Sequence, residues 1–213
     1  MAAEGVDRIE LWAGPAAGVL GAVVTMAGIA MADIVGPEAI SPLASASTIA
    51  RVIAEKRDQL QLGTTVLMVG LFFLVWFFVH LQTRLNPTRS TRWFASVASV
   101  GGLIVVIFLA LDVALVRAAT QIRFTGPDEV IPKALVIFEW DYWRAFAPFI
   151  SAHFLAAGIA IVHTSLLPKL IGWGAIGVAL LPLLFPPGLM TIIFLLWMLV
   201  LSTGLLVKGI RST

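Results

Sequence analysis

The stretch "LIGWGAIGVALLPLLFPPGLMTIIFLLWMLVLSTGLLV", Leu170 to Val207, runs for 38 residues without a charged side chain. As one helix at about 1.5 Å per residue it would reach about 57 Å, nearly twice the ~30 Å hydrocarbon core of a bilayer. Its middle holds "FPPG", Phe185 to Gly188, and paired prolines interrupt a helix because they supply no backbone N–H. The stretch therefore predicts two membrane spans joined by a turn.

The rest of the chain agrees with a bilayer as solvent. Mean hydropathy is +1.00, with 60% of residues apolar and 12% charged, about half the charge a soluble globule carries. The 213 residues hold five to seven spans at roughly 20 residues each, so the chain is expected to be a single membrane domain over 1–213. The absence of cysteine excludes disulfides and thiolate chemistry. A net charge of +2, dispersed along the chain, gives no basis for a nucleic-acid partner. Glu4, Asp7 and Glu10 interrupt the basic region of a cleavable signal peptide, so the first span is expected to be retained.

Uncharged runs place six spans at about residues 11–34, 62–82, 93–119, 143–167, 170–185 and 189–207. The fold class expected is an all-α integral membrane protein, a six-helix bundle with one interfacial amphipathic helix. That helix is read from "STIARVIAEKRDQL" (47–60), which gathers Ile49, Val52, Ile53 and Leu60 on one side; it lies along an interface or caps the bundle. Span one carries Gly14, Gly18, Gly21 and Gly28, and ordinary close packing is the simplest use of such residues. Six spans put both termini on one side. Seven Lys or Arg fall on each side, but they are denser beside the span ends on the terminal side. The expectation is a bacterial plasma membrane with cytoplasmic termini.

Candidate functional groups collect at the opposite end. Asp33 closes span one, Asp112 and Arg117 lie near the end of span three, and "FEWDYWRAF" (138–146) leads into span four. On a helix Glu139, Tyr142, Phe146, Phe149, Ile150 and His153 share one stripe. Asp112 draws most attention, because an ionisable group inside a span is costly unless paired or hydrated. Arg117 lies about 140° away round the helix and fits it poorly. A partner must come from elsewhere, such as Arg144, His153 or a water, or Asp112 stays protonated and is a capable general acid. Hydrogen bonding to a neighbouring helix is the plainer alternative, and both stay open. His80 and His163 sit at comparable depth but are more simply interfacial histidines than haem ligands. Trp12, Trp93, Trp140, Trp143 and Trp173 fit an aromatic belt; Trp76 and Trp197 are more central and either pack or line a cavity. No zinc, nucleotide or nucleophile-elbow motif is present, so neither a metal nor a cofactor is expected.

The segments "FFLVWFFVHLQTRL" (72–85) and "HTSLLPKLIGWGAIGVALL" (163–181) resemble a broad group of small bacterial multi-pass membrane proteins of unknown function. The resemblance implies a six-helix bundle and a bacterial origin and says nothing of activity. In general design, isolated acids among aromatics in a compact bundle, the chain is also similar to integral membrane terpene cyclases, by analogy alone. The function expected is an intramembrane cyclase or isomerase acting on a lipid or isoprenoid. Asp112, Glu139, Asp33 and His153 are its acid–base candidates. Trp140, Asp141, Tyr142, Trp143, Arg144, Phe146, Phe149, Arg117 and Trp76 surround the substrate, the aromatic faces stabilising a developing cation. The alternative is a protein that binds or transports a small molecule, proton or ion.

Overall fold

The computed structural model describes residues 2–32, 45–85, 89–121, 130–185 and 187–211; for 2–10 and most of 130–143 it describes the backbone alone. The described chain is helical: α1 (Ala2–Ala32), α2 (Ala46–Glu55), α3 (Arg57–Arg84), α4 (Arg89–Gln121), α5 (Val130–Thr164), α6 (Lys169–Val178) and α7 (Pro187–Arg211), with a 3-10 turn at Leu181–Leu183. Five of these contain stretches long and apolar enough to cross a membrane: Leu11–Ala32, Arg57–Arg84, Arg89–Gln121, Arg144–Thr164 and Gly188–Ile210. A helical membrane bundle is thus what the chain forms.

The expected span at 170–185 is broken rather than one continuous helix. α6 has 10 residues, about 15 Å, half the hydrocarbon core. Pro182 is the cause: it has no N–H to give the Val178 carbonyl, the last helical residue, and it disfavours helical backbone at Leu181. The chain instead tightens, with Leu183 N–H donating to Leu180 O at 3.2 Å and Leu184 N–H to Leu181 O at 2.9 Å.

Local chemistry sets the other boundaries. Ser45 caps α2, its Oγ accepting from Thr48 N–H at 3.1 Å, a common way to satisfy a helix start. α2 and α3 are separated only by Lys56, so α2 turns back over the bundle end. Its Ile49, Ala50 and Ile53 are buried, and Ile49 and Ile53 cluster with Ala32, Leu60, Val116 and Ala119. Arg51 and Glu55 face outward, 3.8 Å apart and both well exposed, a pair worth little. α2 is therefore a cap. α5 ends at Ser165, whose φ of 50° is left-handed and whose N–H donates to Ile161 O at 3.0 Å, closing the last turn before Pro168.

The long helices form a ring in the order α7, α1, α3, α4, α5, while α6 leans on α5. α1 runs antiparallel to α3, Gly14 facing His80 and Gly28 facing Leu67. It is also antiparallel to α7, with Gly209 beside Leu11. α4 and α5 pair antiparallel through Ala98 with His153 and Phe108 with Phe146. Both ends of the described chain consequently lie at one end of the bundle. In lipid the apolar effect does not hold helices together, so close packing of small residues must contribute. A Cβ on Gly28 would stand 2.5 Å from the Leu67 backbone nitrogen, and one on Gly63 would collide with the Ala32 backbone.

Gly28→Val is expected to lower stability by about 1–3 kcal/mol or more, because backbone cannot yield as a side chain can. Gly174→Ala, where an added methyl meets nothing, should leave stability unchanged or raised. Thermal unfolding in detergent of both variants checks this, and equal losses would remove close packing as the basis of the α1–α3 contact.

Candidate functional site

Asp112 is 3% exposed, on the inward face of α4 with Leu109, Val113 and Val116. One turn before it, Phe108 stacks on Phe146 of α5, ring centroids 5.2 Å apart and planes inclined by 20°, and Phe149 completes the layer at 6.1 Å from Phe108. The same antiparallel register, carried one turn further, brings the backbone of position 112 level with that of position 142. The carboxyl-bearing turn of α4 therefore lies beside the turn of α5 that carries Glu139 to Trp143. α5 already begins at Val130, so this acidic and aromatic segment is helical rather than part of a long connection.

The predicted stripe on α5 is one face where side chains are described: Phe146, Ile150 and His153 are buried and Phe149 is half-buried. The side chains of Glu139, Trp140, Asp141, Tyr142 and Trp143 lie outside the described residues, and so does all of Asp33. Arg117 and Arg144 are exposed. Trp76 is 60% exposed, on the outward face of α3 beside Phe72, away from both Asp112 and His153.

His153 and Asp112 do not converge. His153 meets Ala98, and Asp112 lies fourteen residues further along α4, about 21 Å away by helical rise. The shared chamber expected from their common leaflet is two separate places, because α4 and α5 are both longer than a bilayer is thick and the stripe on α5 reaches well into the bundle.

His153 is fully buried at the junction of four helices. Its Nδ1 is 2.7 Å from the Ala98 carbonyl oxygen of α4. Its Nε2 is 3.2 Å from Trp197 Nε1 of α7. An indole nitrogen only donates and a carbonyl only accepts, so the ring is the neutral Nδ1–H tautomer: Nδ1–H donates to Ala98 and Nε2 accepts from Trp197. Phe78 of α3 and Phe194 of α7 both present edges or faces at 5.5 Å, and Phe154 packs on Trp197 at 5.6 Å. Nearby, Ser99 Oγ donates to Phe78 O at 3.1 Å. Both ring nitrogens are committed, which makes His153 a structural cross-tie rather than an acid–base group.

Sequence reasoning found His153 and missed its partner. The usable signal was Trp197, which lies away from either interface and needs an acceptor once buried. His80 is engaged at Nε2 by Arg84 Nε–H at 3.3 Å, and His163 is exposed. Among the described residues no three His, Asp or Glu side chains gather as a metal site.

The fold and these two buried polar positions define an integral membrane helical bundle. No family model, curated protein or solved structure matches the chain.

Trp197→Phe keeps the ring packing but strands the His153 acceptor, which is expected to lower stability by about 1–3 kcal/mol. Nitrogen NMR of labelled protein should show the Nδ1–H tautomer in wild type and a loosened one in the variant. A charged ring in wild type would contradict the assignment.

Proposed function

We propose that the protein is an intramembrane enzyme that isomerises or cyclises a hydrophobic substrate of the lipid or isoprenoid class. Asp112 acts as the proton donor in the manner of a terpene-cyclase-like acid. The observation that carries this is a carboxyl 3% exposed inside a membrane-spanning helix, one turn beyond the Phe108–Phe146 stack. An ionisable group so placed is a functional candidate by default.

The chemistry is self-contained. The carboxylic acid adds its proton to a carbon–carbon double bond, leaving a carbocation and a carboxylate. The cation rearranges or closes a ring. The Asp112 carboxylate then removes a proton from a neighbouring carbon, or Glu139 on the adjacent turn takes that proton and passes it back to Asp112, so nothing is consumed. Aromatic faces stabilise the cation electrostatically; Phe108, Phe146 and Phe149 supply them, with Trp140, Tyr142 and Trp143 assigned to the same role. The exposed Arg117 and Arg144 form a polar rim at that end. The reading places the end with both termini on the cytoplasmic face of a bacterial plasma membrane.

Transport of a proton or ion fits less well. Between Asp112 and Thr120 the inward positions of α4 are Val113, Val116 and Ala119, so among the described residues the polar groups at Thr120 and Gln61, 3.5 Å apart, are separated from the carboxyl by apolar turns.

Mass spectrometry of lipids and isoprenoids incubated with purified protein tests the reading. Asp112→Asn is expected to lower turnover at least about 100-fold, and Glu139→Gln to slow the proton-removal half, with melting temperatures retained. Product formation unchanged in Asp112→Asn would sink the assignment. A lipid retained equally by all three proteins, with no product, would move it to binding.

A further inference from the structure

The two ends of the bundle differ in charge. Over the described residues the end with both termini carries seven Lys or Arg and three Asp or Glu, a net of +4; the opposite end carries six and five, a net of +1. At the terminal end Arg89, Arg92, Lys169 and Lys208 are exposed. Tertiary structure draws two of them together: Lys208, near the end of α7, donates to Leu166 O at 3.0 Å, in the loop that leads to Lys169.

A single spacing recurs beneath these cations. Arg89 precedes Trp93 and Lys169 precedes Trp173, each by four residues and each as the first residue of a helix that begins at this end, and Arg8 precedes Trp12 by the same four in the second turn of α1. Four residues is one turn, so each indole sits one turn deeper on the same side of its helix. Trp93 and Trp173 are among the most exposed large side chains of the molecule, at 67% and 60%. Cations outside and indoles one turn in match the layering of a phospholipid leaflet, phosphate above glycerol and carbonyl. α4 and α6 also have no acidic residue in their first turns, so Arg89 and Lys169 stand at positive helix ends, where a cation is disfavoured unless an anion is shared.

We infer that this end is a docking collar for anionic phospholipid headgroups, with Arg89, Arg92, Lys169 and Lys208 contacting phosphate and Trp93 and Trp173 seated below them. The collar selects lipid by net charge, since zwitterionic headgroups offer no excess negative potential to it. This is independent of the activity proposed for the Asp112 end.

The test reconstitutes the full chain into phosphatidylcholine vesicles containing equal fractions of either brominated phosphatidylglycerol or brominated phosphatidylcholine, and compares tryptophan quenching. The expected result is stronger quenching by the glycerol lipid. That excess should vanish when the four cations are replaced by Gln and persist when Arg89→Lys, Arg92→Lys, Lys169→Arg and Lys208→Arg are combined. Equal quenching by the two lipids, or an excess that survives the Gln variant, overturns the collar. Abolition by inorganic phosphate at constant ionic strength also overturns it, assigning the cations to a soluble anion.

Discussion

The imidazole of His153 is the tie on which the bundle centre depends. With no water in a bilayer core, each polar group must be satisfied within the protein, and this ring has one donor and one acceptor to place. It places them on different helices, α4 through Ala98 O and α7 through Trp197. Its ring fills the space between Phe78 and Phe194. One side chain on α5 thereby fixes the rotation of α5 against two neighbours and packs against a third. Interhelical hydrogen bonds in membranes average only about 0.6 kcal/mol, so the value of the tie lies in specifying one arrangement as much as in strength.

α1 stands outside that tie and is held by a different principle. Glycines on both helices bring α1 and α3 to backbone distance, at Gly28 of α1 with Leu67 and at Gly63 of α3 with Ala32, and Gly18 lets Phe77 and Ser202 approach together from α3 and α7. Lipid chains solvate leucine as well as another helix does, so only shape complementarity and polar contacts distinguish a protein neighbour from lipid. α6 lacks both along its outer side, where Gly174 and Gly177 meet nothing.

This construction separates the molecule's polar features along its length. The middle is committed to His153 and its aromatic shell. The capped end, under α2, contains Asp112 and the acidic turn of α5; the other end gathers exposed cations over tryptophans. The Asp112 carboxyl, nearly three-quarters of the way along α4, lies about 21 Å from the histidine tie.

Several features were legible in order of residue alone. Hydropathy determined a helical membrane bundle, because no other open structure satisfies its backbone in lipid. Asp112 stood out because a charge in an apolar run is costly wherever the run ends up. The stripe from Phe146 to His153 followed from helical periodicity. Pro182 was visible too, yet an unbroken span at 170–185 was still expected, since an uncharged run reports solvent and not where hydrogen bonding stops. Tertiary structure alone decided that His153 pairs with Trp197, that Trp76 faces outward, and that Asp112 and His153 lie apart. The physical reason is that composition and periodicity fix which residues prefer lipid or protein, whereas helix neighbours, rotation and register arise from contacts between residues such as 153 and 197, or 28 and 67, whose meeting no local pattern encodes.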